Sequence, residues 1–157
     1  MAVSLLLIKD VDMHVRDCID YEIDFEVYGE LDRWGVPIHD IDGDGRWEDD
    51  CDGSAFLARA LMRGREVPGL RDYTAESDAV RRLRASPAAP ADIALATCHT
   101  GGLVGRINHL VLLVAADDGH WYTCGDTADR WGIRNYEECP YSWFEWISQP
   151  GDWRRFS

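Results

Sequence analysis

Cys51 stands where an acidic, glycine-bearing stretch gives way to the nearly all-apolar run Ala55-Phe56-Leu57-Ala58 and Ala60-Leu61-Met62. If that run is a helix, Cys51 opens it, and the unsatisfied N–H groups and dipole of a helix start favour an anion. A thiolate there has a lowered pKa and is a better nucleophile near neutral pH. It needs a base to take its proton and a group to orient the base. His109 heads the apolar run Leu110-Val111-Leu112-Leu113-Val114, where an imidazole must be solvent-edged or hydrogen-bonded. Asp126 follows the run His120–Cys124, which lies after the turn signal Asp117-Asp118-Gly119. Two antiparallel strands joined by that turn bring His109 and Asp126 side by side. The chemistry such a set could do is nucleophilic catalysis at a thiolate, with Cys51 as nucleophile, His109 as base and Asp126 as the group that orients the base. Singly, the three have ordinary readings: a small buried hydrophobe, a strand-end histidine, a turn aspartate. Their order and context set them apart.

The string Asp50-Cys51-Asp52-Gly53-Ser54-Ala55-Phe56 with Leu57-Ala58-Arg59-Ala60-Leu61, and the strand His109-Leu110-Val111-Leu112-Leu113-Val114, resemble the signature motifs of the bacterial transglutaminase-like cysteine proteinases, part of the larger transglutaminase/papain-like group. Asp126-Thr127 matches the third motif, an Asp after the next strand. The resemblance covers roughly residues 47–127. It departs at Gly53-Ser54, where the family usually has a second acid and an aromatic or Phe-Ala step, and at Thr127, where Asn is common. It implies a papain/transglutaminase-like core, a central Cys-bearing helix on an antiparallel sheet bearing His and Asp. It also implies a Cys51-His109-Asp126 triad.

The tetrahedral intermediate of such a reaction needs hydrogen-bond donors. The backbone N–H of Cys51 is one candidate, and the indole N–H of Trp47 or Trp34 is another; the only glutamine, Gln149, lies far downstream. A different chemistry is suggested by Asp40-Ile41-Asp42-Gly43-Asp44-Gly45, which opens like a calcium loop with carboxylates at positions 1, 3 and 5 and Gly at 6. Position 12, normally a bidentate Glu, is Cys51, so a Ca2+ site of Asp40, Asp42 and Asp44 competes with a solvated acidic loop. No other cofactor is implied. Residues 40–52 carry seven carboxylates, a field that suits a cationic peptide and opposes the thiolate. In Cys98-His99, adjacent residues on a strand point to opposite faces, so the pair reads as structural. Cys98, His99, Cys124 and Cys139 lack zinc-ligand spacing.

The elements that must position these residues give an α+β fold in one domain, 1–157. Ser4–Lys9 reads as a strand, and residues 10–21 carry no clear period. Ile23, Phe25 and Val27 alternate with acids as a half-buried strand would, and 29–50 reads as a long loop. The helix from Cys51 has Gly64 as its C-cap. A second helix runs from about Ala75 to Ala85 behind Thr74 as N-cap. Strands follow at Ile93–Cys98, Ile107–Ala115 and His120–Cys124. A short helix is expected around Tyr141–Ser148.

The chain has 157 residues, a formal charge of −13 and a pI near 4.6, which disfavours nucleic acid and anionic membranes as partners. No apolar run approaches the roughly 20 residues that span a bilayer. The N-terminal stretch has no basic region or small-residue cleavage site and does not read as a signal peptide. Five cysteines without a CxxC pair suggest reduced thiols and a cytoplasmic setting. The expected partner is a protein or peptide substrate, with a basic one favoured, and the expected reaction is hydrolysis. The alternative is a catalytically inactive protein of the same fold acting as a binding or structural module.

Overall fold

The structure is a computed structural model that describes residues 2–21, 47–49, 51–65, 77–100, 108–128 and 132–146. Ile23, Phe25 and Val27, the acidic stretch 40–46, Thr74, and the tail residues Trp131 and Trp153 lie outside the described residues.

The chain begins with a helix, α1 (Leu5–Cys18), where a strand was expected from Ser4 to Lys9. The run Leu5-Leu6-Leu7-Ile8 is too short to reveal its period, but Leu7, Ile8, Val11, Val15 and Cys18 recur at helical spacing and are buried. Ser4 caps the helix, its hydroxyl accepting from the Leu7 N–H at 3.3 Å. The chain then forms β1 (Ile19–Tyr21), which pairs in parallel with β2 (Trp47–Asp49), a short strand inside the expected loop.

Helix α2 (Cys51–Met62) starts at Cys51, as its apolar run implied, and is buried nearly all round. Gly64 ends it in a Schellman motif: its φ is +67°, its N–H bonds Leu61 O at 3.0 Å, and the Arg65 N–H bonds Ala60 O at 2.9 Å. Helix α3 (Asp78–Ala85) is capped by Ser77, so the expected second helix starts later than Thr74 would set it. Its Ala79, Val80 and Leu83 join the core. A 3-10 turn (Pro90–Asp92) leads into the sheet.

The sheet comprises β3 (Ile93–His99), β4 (Asn108–Ala115), β5 (Trp121–Cys124) and β6 (Ser142–Trp146), in the order β5-β4-β3-β6 with every pairing antiparallel. The long apolar run is therefore a central strand, hydrogen-bonded on both sides. The turn at Asp117-Asp118-Gly119 closes the β4–β5 hairpin, with Gly119 at φ +88°. β6 replaces the short helix expected at Tyr141–Ser148. Its register is interrupted between Thr97 and Cys98, so Trp143 pairs with Cys98 and Trp146 with Ala96. The bulge brings two tryptophans three residues apart opposite same-face residues of β3, a spacing that in sequence imitates a helix.

The two faces of the sheet carry different cores. Leu95, Leu110, Leu112, Val114 and Cys124 pack with the buried sides of α1, α2 and α3. Ala96, Cys98, Val111 and Leu113 lie under Trp121, Tyr136, Tyr141, Trp143 and Trp146. The N-terminus is strapped to the end of β4, with the Val3 N–H bonding Ala115 O at 3.0 Å and the Asp117 N–H bonding Val3 O at 2.9 Å. This is a mixed α+β fold with helices packed on an antiparallel sheet. Among the described residues no helix is long and apolar enough to cross a membrane.

Candidate active site

His109 is the second residue of β4 and Asp126 lies two residues beyond the end of β5. The strands pair from Leu112–Cys124 to Ala115–Trp121, so the hairpin runs out before Asp126 is reached. Gly125 then turns the chain at φ +69°, a conformation that L side chains avoid. A Cβ at this position would come within 3.1 Å of Val15 Cγ1 and 3.3 Å of Ala58 Cβ, so the backbone is wedged between α1 and α2. The Gly125 N–H donates to Oδ1 of Asp12 at 2.7 Å, and Oδ2 of Asp12 accepts from Nε of Arg16 at 2.8 Å. A buried aspartate on α1 thus holds the turn that presents Asp126.

Both Asp126 oxygens are engaged. Oδ1 lies 2.5 Å from His109 Nε2 and accepts from the Ala128 N–H at 2.9 Å; Oδ2 accepts from the Tyr141 hydroxyl at 2.6 Å. His109 is 6% exposed and Asp126 1%, so these bonds are screened little by water. Burial is the largest influence on the Asp126 carboxyl and pushes its pKa up. It is outweighed by the His109 hydrogen bond and charge, followed by the Tyr141 and Ala128 bonds, so the carboxyl is held below its ordinary range. An ionised carboxylate only accepts, so a neutral His109 ring carries its proton on Nε2 and presents a lone pair at Nδ1. That is the tautomer a general base requires.

One aromatic ring meets the imidazole among the described contacts. Tyr141 meets it edge-on, with centroids 5.8 Å apart and planes at 79°. Tyr141 in turn meets Trp143 at 5.7 Å, and the Trp143 indole donates to Tyr136 O at 3.1 Å. Tyr136 and Trp121 both contact Trp146 at 5.3 Å. This shell covers one face of the sheet down to the His–Asp pair.

Cys51 is half-buried at the start of α2, packed against the helix-side core. Cys98 is the register partner of His109, so the two share the aromatic face at one end of the sheet. The Cys98 thiol is pushed up to about 12, first by burial and then by the charges of Asp126, Cys139 and Cys51. Cys51 and Asp126 therefore both lie within electrostatic reach of the residue opposite His109. His109 and Asp126 are joined directly. Cys51 is tied to this neighbourhood through its charge, which reaches Cys98. None of the five cysteines is in a disulfide; Cys51 is half-buried, and the other four are buried.

Trp47 lies in β2, its backbone paired with Ile19, and its indole is outside the described part of the chain. Asp40, Asp42 and Asp44 also fall outside the described residues. Sequence reasoning passed over Tyr141, which the notably aromatic stretch 141–146 signals only weakly, and Asp12, which sits in a segment without an apparent period. A separate open cleft of about 650 Å³ is lined by Asp118, His120, Tyr122, Ile133, Arg134, Asn135 and Glu138, away from the His–Asp pair.

Fold and geometry together define a class: an α+β protein carrying a buried His–Asp pair, with a tyrosine on the carboxylate, at one end of an antiparallel sheet. No family model matches the chain, and no curated protein matches it in sequence.

Proposed function

We propose that the protein is a thiol-dependent hydrolase of peptide or amide bonds, with a papain/transglutaminase-like core and Cys51, His109 and Asp126 as its triad. The observation that carries this reading is the buried His109–Asp126 hydrogen bond at 2.5 Å, formed through Nε2 so that Nδ1 is left to act on a thiol. The shared electrostatic neighbourhood of Cys51, Asp126 and Cys98 supports it, as does the position of Cys51 at a helix start.

In this mechanism the Cys51 proton passes to His109 Nδ1 and the sulfur bonds the substrate carbonyl carbon. The C–N bond then breaks as His109 returns its proton to the leaving amine, and a thioester remains. Water attacks the thioester, giving its proton to His109. The C–S bond breaks, a carboxylic acid leaves, and the sulfur recovers its proton. The Cys51 N–H and the Trp47 indole are the oxyanion donors we assign. The acidic stretch 40–52 favours a cationic peptide, and Asp40, Asp42 and Asp44 are candidate Ca2+ ligands within it. Five cysteines outside any disulfide suit a reducing, cytoplasmic setting.

The test is alkylation by iodoacetamide near neutral pH, with the modified residue identified by mass spectrometry. Cys98 and Cys124 have raised pKa values and are buried, so they compete poorly. Cys51 should react first and alone, and His109→Ala should slow it by roughly 100-fold or more, the usual worth of a positioned base. Equal rates in the two proteins would exclude a working Cys–His pair and leave the alternative, a binding or structural module of this fold.

A further inference from the structure

The hydroxyl of Tyr141 donates to Oδ2 of Asp126 at 2.6 Å while its ring meets the His109 imidazole edge-on, so one side chain touches both members of the pair. We propose that Tyr141 is a positioning residue: by anchoring Oδ2 it leaves Oδ1 as the single oxygen turned to His109, and by its ring it limits rotation of the imidazole. This deepens the hydrolase reading, because a base must keep its proton on Nε2 to present Nδ1 to a thiol.

Three observations converge. A carboxylate with one free oxygen can rotate about its Cβ–Cγ bond and exchange oxygens at the histidine; one held at both oxygens cannot. Oδ1 is further fixed by the Ala128 N–H at 2.9 Å. Tyr141 is itself held, stacked edge-on against Trp143, whose indole is tied to Tyr136 O. The aromatic shell over β3 and β4 is thus mechanically continuous with the His–Asp pair. Cys98 on β3, the register partner of His109, feels the charges of Asp126, of Cys139 shortly before Tyr141, and of Cys51 on α2. Of the side chains around the pair, Tyr141 alone donates a hydrogen bond to Oδ2 among the described contacts.

Nitrogen NMR of labelled histidine reads the tautomer directly and requires neither substrate nor activity. In the native protein, above the titration of the ring, His109 should show a single tautomer with the proton on Nε2. Tyr141→Phe, checked by thermal melting to be folded, should show a mixture of the two tautomers. The Asp126 carboxyl, followed by carbon NMR, should titrate higher by roughly half to one pH unit, the net worth of one hydrogen bond. A 3-fluorotyrosine at position 141 keeps the shape and is a stronger donor; it should keep the single tautomer and move the Asp126 titration lower. A folded Tyr141→Phe protein with one tautomer and an unmoved Asp126 titration would overturn the proposal. If Tyr141→Phe does not fold, the fluorotyrosine protein decides: a lower Asp126 titration supports the proposal and an unmoved one overturns it. Because these readouts are independent of thiol chemistry, a failed alkylation test with a positive tautomer result would overturn the hydrolase reading alone.

Discussion

Asp126 is a carboxylate that burial would neutralise and that three donors keep ionised. Its depressed pKa is also a statement about stability. In the unfolded chain the group titrates near its ordinary value of 3.8, whereas in the fold it stays ionised to lower pH. Its contribution is fully present above about pH 4 and is lost as pH falls through the folded value. Asp126→Asn should therefore lower stability at neutral pH and shrink the difference from the native protein as pH falls below 3.8, measured by urea melts at successive pH values. The neutral-pH loss should be about 1–3 kcal/mol, as for a buried hydrogen-bonded group deprived of its partner. The same variant should slow Cys51 alkylation less than His109→Ala does, since it perturbs the base without removing it.

At the scale of elements, the site depends on contacts between parts of the chain that no local pattern links. Asp12 and Gly125 are 113 positions apart, yet their hydrogen bond fixes the turn that presents Asp126. Asp12→Ala should cost about 1–3 kcal/mol by leaving the buried Gly125 N–H without its acceptor. Gly125→Ala should cost about 1–2 kcal/mol from the left-handed φ alone, with more from the approach to Val15 and Ala58. Calorimetry should show each as a fall in Tm of roughly 2–4 °C per kcal/mol for a chain of this size. The same distance in sequence explains what could be read from the chain. The helix start at Cys51 and the pairing of His109 with Asp126 were legible because each residue sits at the edge of a strong local pattern: an apolar helix, a five-residue apolar run, a hairpin turn. Helix α2, its Gly64 cap, the strands β3, β4 and β5 and the β4–β5 hairpin were legible for the same reason. Asp12 was not, because the four apolar residues Leu5–Ile8 hid the helical period that continues to Cys18. Tyr141 was not, because a bulge gave Trp143 and Trp146 helical spacing on a strand. In both places tertiary contacts decide an element whose local pattern is ambiguous.

At the scale of the molecule, a charge of −13 on 157 residues repels itself. Raising ionic strength from about 0.01 M to 0.15 M shortens the screening length from about 30 Å to about 8 Å. Tm should rise by roughly 2–4 °C over that range, the equivalent of about 1 kcal/mol, with sucrose as an uncharged control. The strap of Val3 onto the end of β4, together with the Asp12 bond to Gly125, closes the N-terminal helix over the hairpin. The His109–Asp126 contact spans only 17 positions and belongs to the hairpin itself. The hairpin can therefore come together before α1 docks, but the amide proton of Gly125 is shielded only once docking is complete. In deuterated water that single proton reports the closing of the whole chain. If α1 opens as a unit, the Gly125 amide exchanges at the rate set by that opening, while the amides at the centre of β4, flanked by β3 and β5, wait for the sheet to come apart.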